Sequence, residues 1–203
     1  MPEISLLGVS ILQSAAPHAS CAEWNQAGAL TDGDYLLTLS GGTVTVFCFS
    51  MTSSPAEYLT FTKSPSTGFP NSNYTYAASP PAGGWRKSYS RARFYPATLE
   101  IDGSDATFST ESCTTPPCSN PYHAAAYAQA AGCGAENGTG NIDLAGFSFT
   151  ADPAQFAQNG AGPYNCTATG SSANTVVDLT GNGGCGWIQP SAGNGRLQLM
   201  WIP

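Results

Sequence analysis

A chain of 203 residues is long enough for one domain with a substantial buried core. A charged fraction of 9% and a net charge of −7 disfavour general affinity for nucleic acid or anionic membrane, and the many aromatic residues disfavour disorder. Gly, Ser, Thr and Asn take the place of Lys and Glu as polar residues, which is common in β-rich extracellular modules.

Leu6-Leu7-Gly8-Val9-Ser10-Ile11-Leu12 is apolar and runs into Ser14-Ala15-Ala16, as a secretory signal would. Glu3 stands where a basic leader is expected, however, and no clean small-x-small cleavage site follows. Residues 1–19 therefore read as an apolar N-terminal segment with three open assignments: a strand, a packing arm or a signal remnant. That segment is too short to span a bilayer as a helix. Residues 20–203 show no repeat and no linker, and read as one domain.

The hairpin signal is the sharpest local pattern. Asp34-Tyr35-Leu36-Leu37-Thr38-Leu39 and Thr43-Val44-Thr45-Val46-Phe47-Cys48 flank a Gly41-Gly42 pair. Alternation places Tyr35, Leu37 and Leu39 on one face, opposite Val44 and Val46. Cys21 precedes the hairpin and Cys48 ends it, so one bridge can staple the entry segment to the second strand.

Further strands are expected at 58–62, 91–101, 106–109, 141–150, 175–179 and 196–202, with 63–84 and 159–174 as turn-rich loops. Two short helices have start signals: Asn120-Pro121 leads into His123-Ala124-Ala125-Ala126-Tyr127-Ala128 and towards Gly132, and Asp152-Pro153 leads into Ala154-Gln155-Phe156-Ala157. The fold class is mainly β, an α+β variant with two short helices, as a single disulfide-stapled domain with long loops.

Seven cysteines without Cys-x-x-Cys units point to an oxidising compartment rather than a zinc site. The expected bridges are Cys21–Cys48 and Cys166–Cys185, with Cys118–Cys133 as a third and Cys113 left over. Catalytic signatures such as His-Glu-x-x-His, Gly-x-Ser-x-Gly or a phosphate-cradling loop are missing, so no catalytic residue and no metal site are assigned. The two histidines, His18 and His123, lie far apart in sequence. His123 reads as a packed or capping residue, and its pairing with a spare thiol as a nucleophile is the weaker alternative.

Four of the six cations, Arg86, Lys87, Arg91 and Arg93, fall within eight positions beside Trp85, Tyr89 and Phe94. In an extended chain Lys87, Tyr89, Arg91 and Arg93 share one face. Trp85, Arg86, Lys87, Tyr89, Arg91 and Arg93 are thus candidate ligand-binding residues for a sulfated or uronate glycan or an acidic protein. The competing assignment is an edge strand blunted by cations that pair with nearby Asp and Glu. No cofactor is expected. Asp102-Gly103-Ser104-Asp105 offers oxygen ligands for calcium but lacks a third acid, and a turn explains it as well. Trp187 beside Cys185 is either a binding aromatic or packed on its disulfide, and Trp201 in the 197–202 alternation reads as core. Asn73, Asn137 and Asn165 each begin a glycosylation sequon.

The stretch from Cys21 to Cys48, Met51, Pro55-Ala56-Glu57-Tyr58-Leu59-Thr60, Arg86-Lys87-Ser88-Tyr89, Phe94 to Phe108, and Ala126 to Leu144 together resemble the GON domain, the non-catalytic C-terminal module of certain secreted ADAMTS metalloproteases. The Cys21–Cys48 opening also looks, more loosely, like the start of fibrinogen-like domains. The resemblance covers most of residues 20–203, but the animal domains have more cysteines around Trp85 and Gly181–Trp187, which suggests a divergent, bacterial-like relative. It implies a secreted, extracellular, non-enzymatic module that binds a protein or glycan in matrix or on a cell surface; charge and hydropathy add the expectation of no nucleic-acid partner and no membrane span. The alternatives are a self-associating coat or filament subunit assembling through the N-terminal segment, and a hydrolase with an unrecognised site.

Overall fold

The computed structural model describes residues 17–62, 73–78, 84–113, 126–160, 162, 165–171, 173–192 and 195–202. The chain is mainly β, with two facing sheets and a short ribbon. It opens with one turn and a half of helix, α1 (Cys21–Gln26). Ser20 caps it by accepting the Glu23 N–H at 3.2 Å, while the Glu23 carboxylate reaches back to the Ala19 N–H at 2.7 Å. This Ser-x-x-Glu signal is present in the sequence and was the one available clue to α1.

In chain order the strands are β1 (Gly33–Leu39), β2 (Gly42–Phe49), β3 (Ala56–Thr60), β4 (Tyr74–Ala78), β5 (Trp85–Tyr89), β6 (Arg91–Tyr95), β7 (Glu100–Asp102), β8 (Ser109–Cys113), β9 (Ala130–Asp143), β10 (Phe149–Thr150), β11 (Phe156–Asn159), β12 (Thr167–Gly170), β13 (Val176–Pro190), β14 (Arg196–Gln198) and β15 (Met200–Trp201). The first sheet has the order β1-β2-β3-β6-β7-β14; the second has β11-β13-β9-β4-β5-β8, with β12 on β13; β10 and β15 form the ribbon. All pairings are antiparallel.

The hairpin register runs from Gly33↔Cys48 to Leu39↔Gly42, leaving Ser40-Gly41 as the two-residue turn. Leu37, Val44 and Val46 are buried, and Tyr35 and Leu39 pack beside them. One hydrophobic cluster joins these residues to Tyr89, Ile142, Val177, Leu179 and Ile188 of the second sheet, so the core lies between the two sheets. Trp201, half-buried, lies 4.6 Å from the Phe149 ring and closes the hairpin end: a Cβ at Gly41 would stand 2.1 Å from its indole. Only glycine permits that approach.

Several expectations are corrected. Within the expected helix after Asn120-Pro121, residues 126–132 are not helical and Ala130 already begins β9; residues before 126 lie outside the described residues. The small residues there serve a close backbone approach instead: a Cβ on Gly138 would meet the Ala131 carbonyl at 1.6 Å. Asp152-Pro153 starts only a 3-10 turn, Pro153–Gln155, which passes directly into β11. Strands β4 and β12 occupy stretches expected as loops, and β11 takes up Phe156 and Ala157, expected as helix.

The cysteine pairing also differs. Cys21 is joined to Cys48, but Cys185 is joined to Cys133, so neither Cys166–Cys185 nor Cys118–Cys133 forms. Cys113 is disulfide-bonded rather than spare, and among the described residues the free thiol is Cys166, buried. Chain distance favours Cys166 for Cys185. The β9–β13 ladder overrides it by setting Gly186 opposite Gly132.

Candidate binding face

One row of residues crosses all six strands of the first sheet. The registers align Asp34 on β1, Phe47 on β2, Tyr58 on β3, Arg93 on β6, Asp102 on β7 and Arg196 on β14. Directly opposed residues of antiparallel strands share a face, so acids, rings and cations are placed side by side on the side away from the core. Thr60 and Arg91 oppose each other one step along, and Tyr95 and Glu100 one step the other way. Phe108 packs over this face, with its ring centroid 4.8–5.7 Å from Tyr58, Phe49 and Phe47.

Cations alternate with rings. Arg91 lies 3.8 Å from the Phe47 centroid and 4.9 Å from that of Phe108, and Arg93 and Arg196 lie 4.9 Å and 4.1 Å from the Tyr95 centroid. Two of the three are also ion-paired, Arg93 to Glu57 at 3.0 Å and Arg196 to Glu100 at 2.8 Å. The Arg196 hydrogen bond holds the Glu100 carboxyl below its ordinary range. For Asp102, burial pushes upward but hydrogen bonds from Ser104 and Tyr95 outweigh it, and its carboxyl is also held low.

Arg91 differs. Its Nε donates to Thr60 Oγ1 at 3.0 Å, its guanidinium packs against two rings, and it has no carboxylate partner among the described residues. The terminal nitrogens of its fork are left for another acceptor.

The six sequence candidates do not form one stripe. The chain leaves the second sheet at Ser90 and enters the first, so Trp85, Arg86, Lys87 and Tyr89 lie on β5 while Arg91 and Arg93 lie on β6. Tyr89 is fully buried in the shared core, and Trp85 is buried in a small cluster with Ala77 and Ala131, against which Trp187 packs. Lys87 is buried and pairs with Glu111 at 2.9 Å. Arg86 stacks on Tyr74 at 4.3 Å. The shared face expected for Lys87, Tyr89, Arg91 and Arg93 is therefore not formed.

A cleft of about 340 Å³ opens beside Arg91, lined by Asp34, Leu36, Thr43, Thr45, Thr60 and Phe147 among others. Its size falls in the range of small-molecule sites, ~300–1,000 Å³. A second, of about 580 Å³, lies between the start of α1 and the 96–99 turn.

Elsewhere the oxygen-rich groups serve structure. The Asp102 carboxylate accepts from the Ser104 N–H and hydroxyl, and Asp105 accepts from the Thr107 N–H and the Tyr58 hydroxyl, as in side-chain-closed turns. No group of three metal-ligating side chains occurs among the described residues. His18 packs on Trp24 at 4.3 Å, and His123 lies outside the described residues. Of the three sequons, Asn73 is fully buried, its Oδ1 accepting from the Tyr127 hydroxyl and the Asp143 N–H, whereas Asn137 and Asn165 are exposed.

Burial pushes the Tyr89 and Tyr127 phenols above their ordinary value of 10.0, with nearby carboxylates adding to it: Glu111 and Asp105 for Tyr89, Asp143 for Tyr127. A raised folded value means that stability is fully present below about pH 10, the unfolded value, and is lost as pH rises through the folded values. The melting temperature should stay level from neutral to mildly alkaline pH and fall above about pH 10. Thermal melts across that range check this, and a level curve beyond pH 11 (~1 unit above the unfolded value) would contradict it.

Residues 18–83, about a third of the chain, match the family model described as GON domain. The match spans α1, the stapled hairpin, β3 with Glu57, and β4. GON is a family of non-catalytic accessory domains. The looser fibrinogen-like likeness has no such support. No curated protein and no solved structure matches the chain significantly. No helix among the described residues is long and apolar enough to cross a membrane.

Proposed function

We propose that this chain is a secreted, non-catalytic extracellular module that binds a protein or glycan of the matrix or a cell surface through the outer face of its first sheet. The observation that carries the reading is Arg91: a cation packed against both Phe47 and Phe108, with no carboxylate partner among the described residues, on the side of the sheet away from the core. The GON match over residues 18–83 supports an accessory role, and the disulfides fit an oxidising compartment.

Assembly by strand addition has less support at β1. Its outer edge is met by the Thr38 N–H donating to the His18 carbonyl at 2.9 Å and by Trp24 Nε1 donating to the Leu36 carbonyl at 3.1 Å. Edges blunted in this way resist pairing with another chain.

The test is binding of the whole chain to cell surfaces and to protein and glycan arrays. Arg91→Ala should lower bound signal about tenfold or more, as loss of a charge-assisted contact implies. Lys87→Ala, on the other sheet, should leave it unchanged. Equal binding by Arg91→Ala and the parent would remove this face from consideration.

A further inference from the structure

Resting on that reading, we infer that the cleft beside Arg91 is a site for a sparsely charged acidic oligosaccharide, one carboxylate-bearing sugar beside a neutral one. The site arises from a defect in pairing. Strands β2 and β3 are hydrogen-bonded only over Phe47–Phe49 and Ala56–Tyr58. Beyond that point Thr43 and Thr45 part from Thr60 and Thr62, and the turn Gly146-Phe147-Ser148 forms the facing wall.

The lining supplies what a sugar needs. Thr43, Thr45, Thr60 and Ser148 are exposed hydroxyls, each able to donate and accept. Leu36, 52% exposed, and half-buried Phe147 give apolar surface for the carbon face of a ring. At one end Arg91 stands next to Thr60, its Nε already used and its guanidinium held against the Phe47 and Phe108 rings. What remains is a pre-set fork of N–H groups, the geometry that takes a planar carboxylate with two hydrogen bonds. Fixing the guanidinium beforehand removes the ordering cost that a free surface arginine would meet on binding.

The other end bears the opposite charge. Asp34, exposed and on β1, lies three strands from Arg91 on β6, ~14 Å at the usual strand spacing. A carboxylate there accepts sugar hydroxyls but repels a second anion. With a net charge of −7 the protein as a whole also repels dense polyanions. Charge complementarity thus selects a glycan with one acid and then a neutral ring, over a heavily sulfated chain and over an acidic peptide.

Titration calorimetry on the full chain can decide this with four probes: an unsulfated oligosaccharide alternating glucuronate with N-acetylglucosamine, its carboxyl-reduced form, a densely sulfated oligosaccharide, and an oligoglutamate. The uronate probe should bind at least tenfold tighter than the other three. Arg91→Gln should abolish that preference, leaving binding equal to that of the reduced probe. Asp34→Asn should raise the affinity of the sulfated probe severalfold and so narrow the preference for the uronate, which a purely structural Asp34 would not do. Equal affinity for the uronate and its reduced form, or tighter binding of the sulfated probe or oligoglutamate, overturns the inference. The broader reading survives those outcomes if Arg91→Ala still weakens cell-surface binding, and both fall if it does not.

Discussion

Arg93→Ala is expected to destabilise the fold by about 3–5 kcal/mol, the range for removing one partner of a buried ion pair. The side chains of Arg93 and Glu57 are 16% and 8% exposed. Glu57 Oε2 accepts from Arg93 at 3.0 Å, and Oε1 accepts from the Cys21 N–H, at the start of α1, at 2.8 Å. The same guanidinium nitrogen donates to the Glu57 carbonyl at 2.8 Å. Removing the cation leaves a desolvated carboxylate at the joint between α1 and β3, where little water can compensate it. Glu57→Gln added to Arg93→Ala keeps an acceptor for the Cys21 N–H and should recover part of the loss. Denaturant unfolding with an unchanged slope measures both, and a cost under about 1 kcal/mol for Arg93→Ala would place the pair among ordinary surface bridges. The same geometry makes Arg93 a poor probe of binding: an Arg91/Arg93 double alanine variant loses stability and ligand contact together, whereas Arg91 reports on the face alone.

Replacing Cys133 and Cys185 together by Ser should cost about 4 kcal/mol, the loop-closure estimate for their sequence separation of 52. The bridge lies where the β9–β13 ladder is least regular, with register shifts between Gly181 and Gly183 and between Gly183 and Gly186. Glycines pair backbone to backbone but bring no side chain to pack, so a covalent link stands in for burial there. The double variant is required because a lone Cys133 or Cys185 could pair with the free thiol of Cys166. The loss should appear as an earlier denaturation midpoint. Removing Cys21–Cys48, with a separation of 27, should cost slightly less, about 3.5 kcal/mol. An unchanged midpoint in the Cys133/Cys185 variant would mean that the ladder holds itself.

Where interactions are local, residue pattern and structure agree. The β1–β2 hairpin is legible because alternation with period two and a short Gly-bearing turn specify it over some sixteen positions, close to the ~2-residue loop ideal. The GON match begins at His18 and contains that block. Glycine- and alanine-rich β9 is the opposite case. Its residues 130–140 show no apolar period, and Ala124-Ala125-Ala126 after Asn120-Pro121 imitates a helix start. The small residues are there because Gly138 and Ala131 bring their backbones together, a constraint visible only once the chain has folded back.

The sequence by itself determined the class: a mainly β domain with the hairpin from Gly33 to Phe49 and a core of alternating aliphatic and aromatic residues, all properties of neighbouring side chains. Tertiary structure alone decided which cations share a face, because Ser90 passes the chain from one sheet to the other between Tyr89 and Arg91. It also decided which sulfurs meet and where the cleft opens, since both depend on strands distant in sequence coming into register. Register across sheets is set by long-range packing, and no window of consecutive residues contains it.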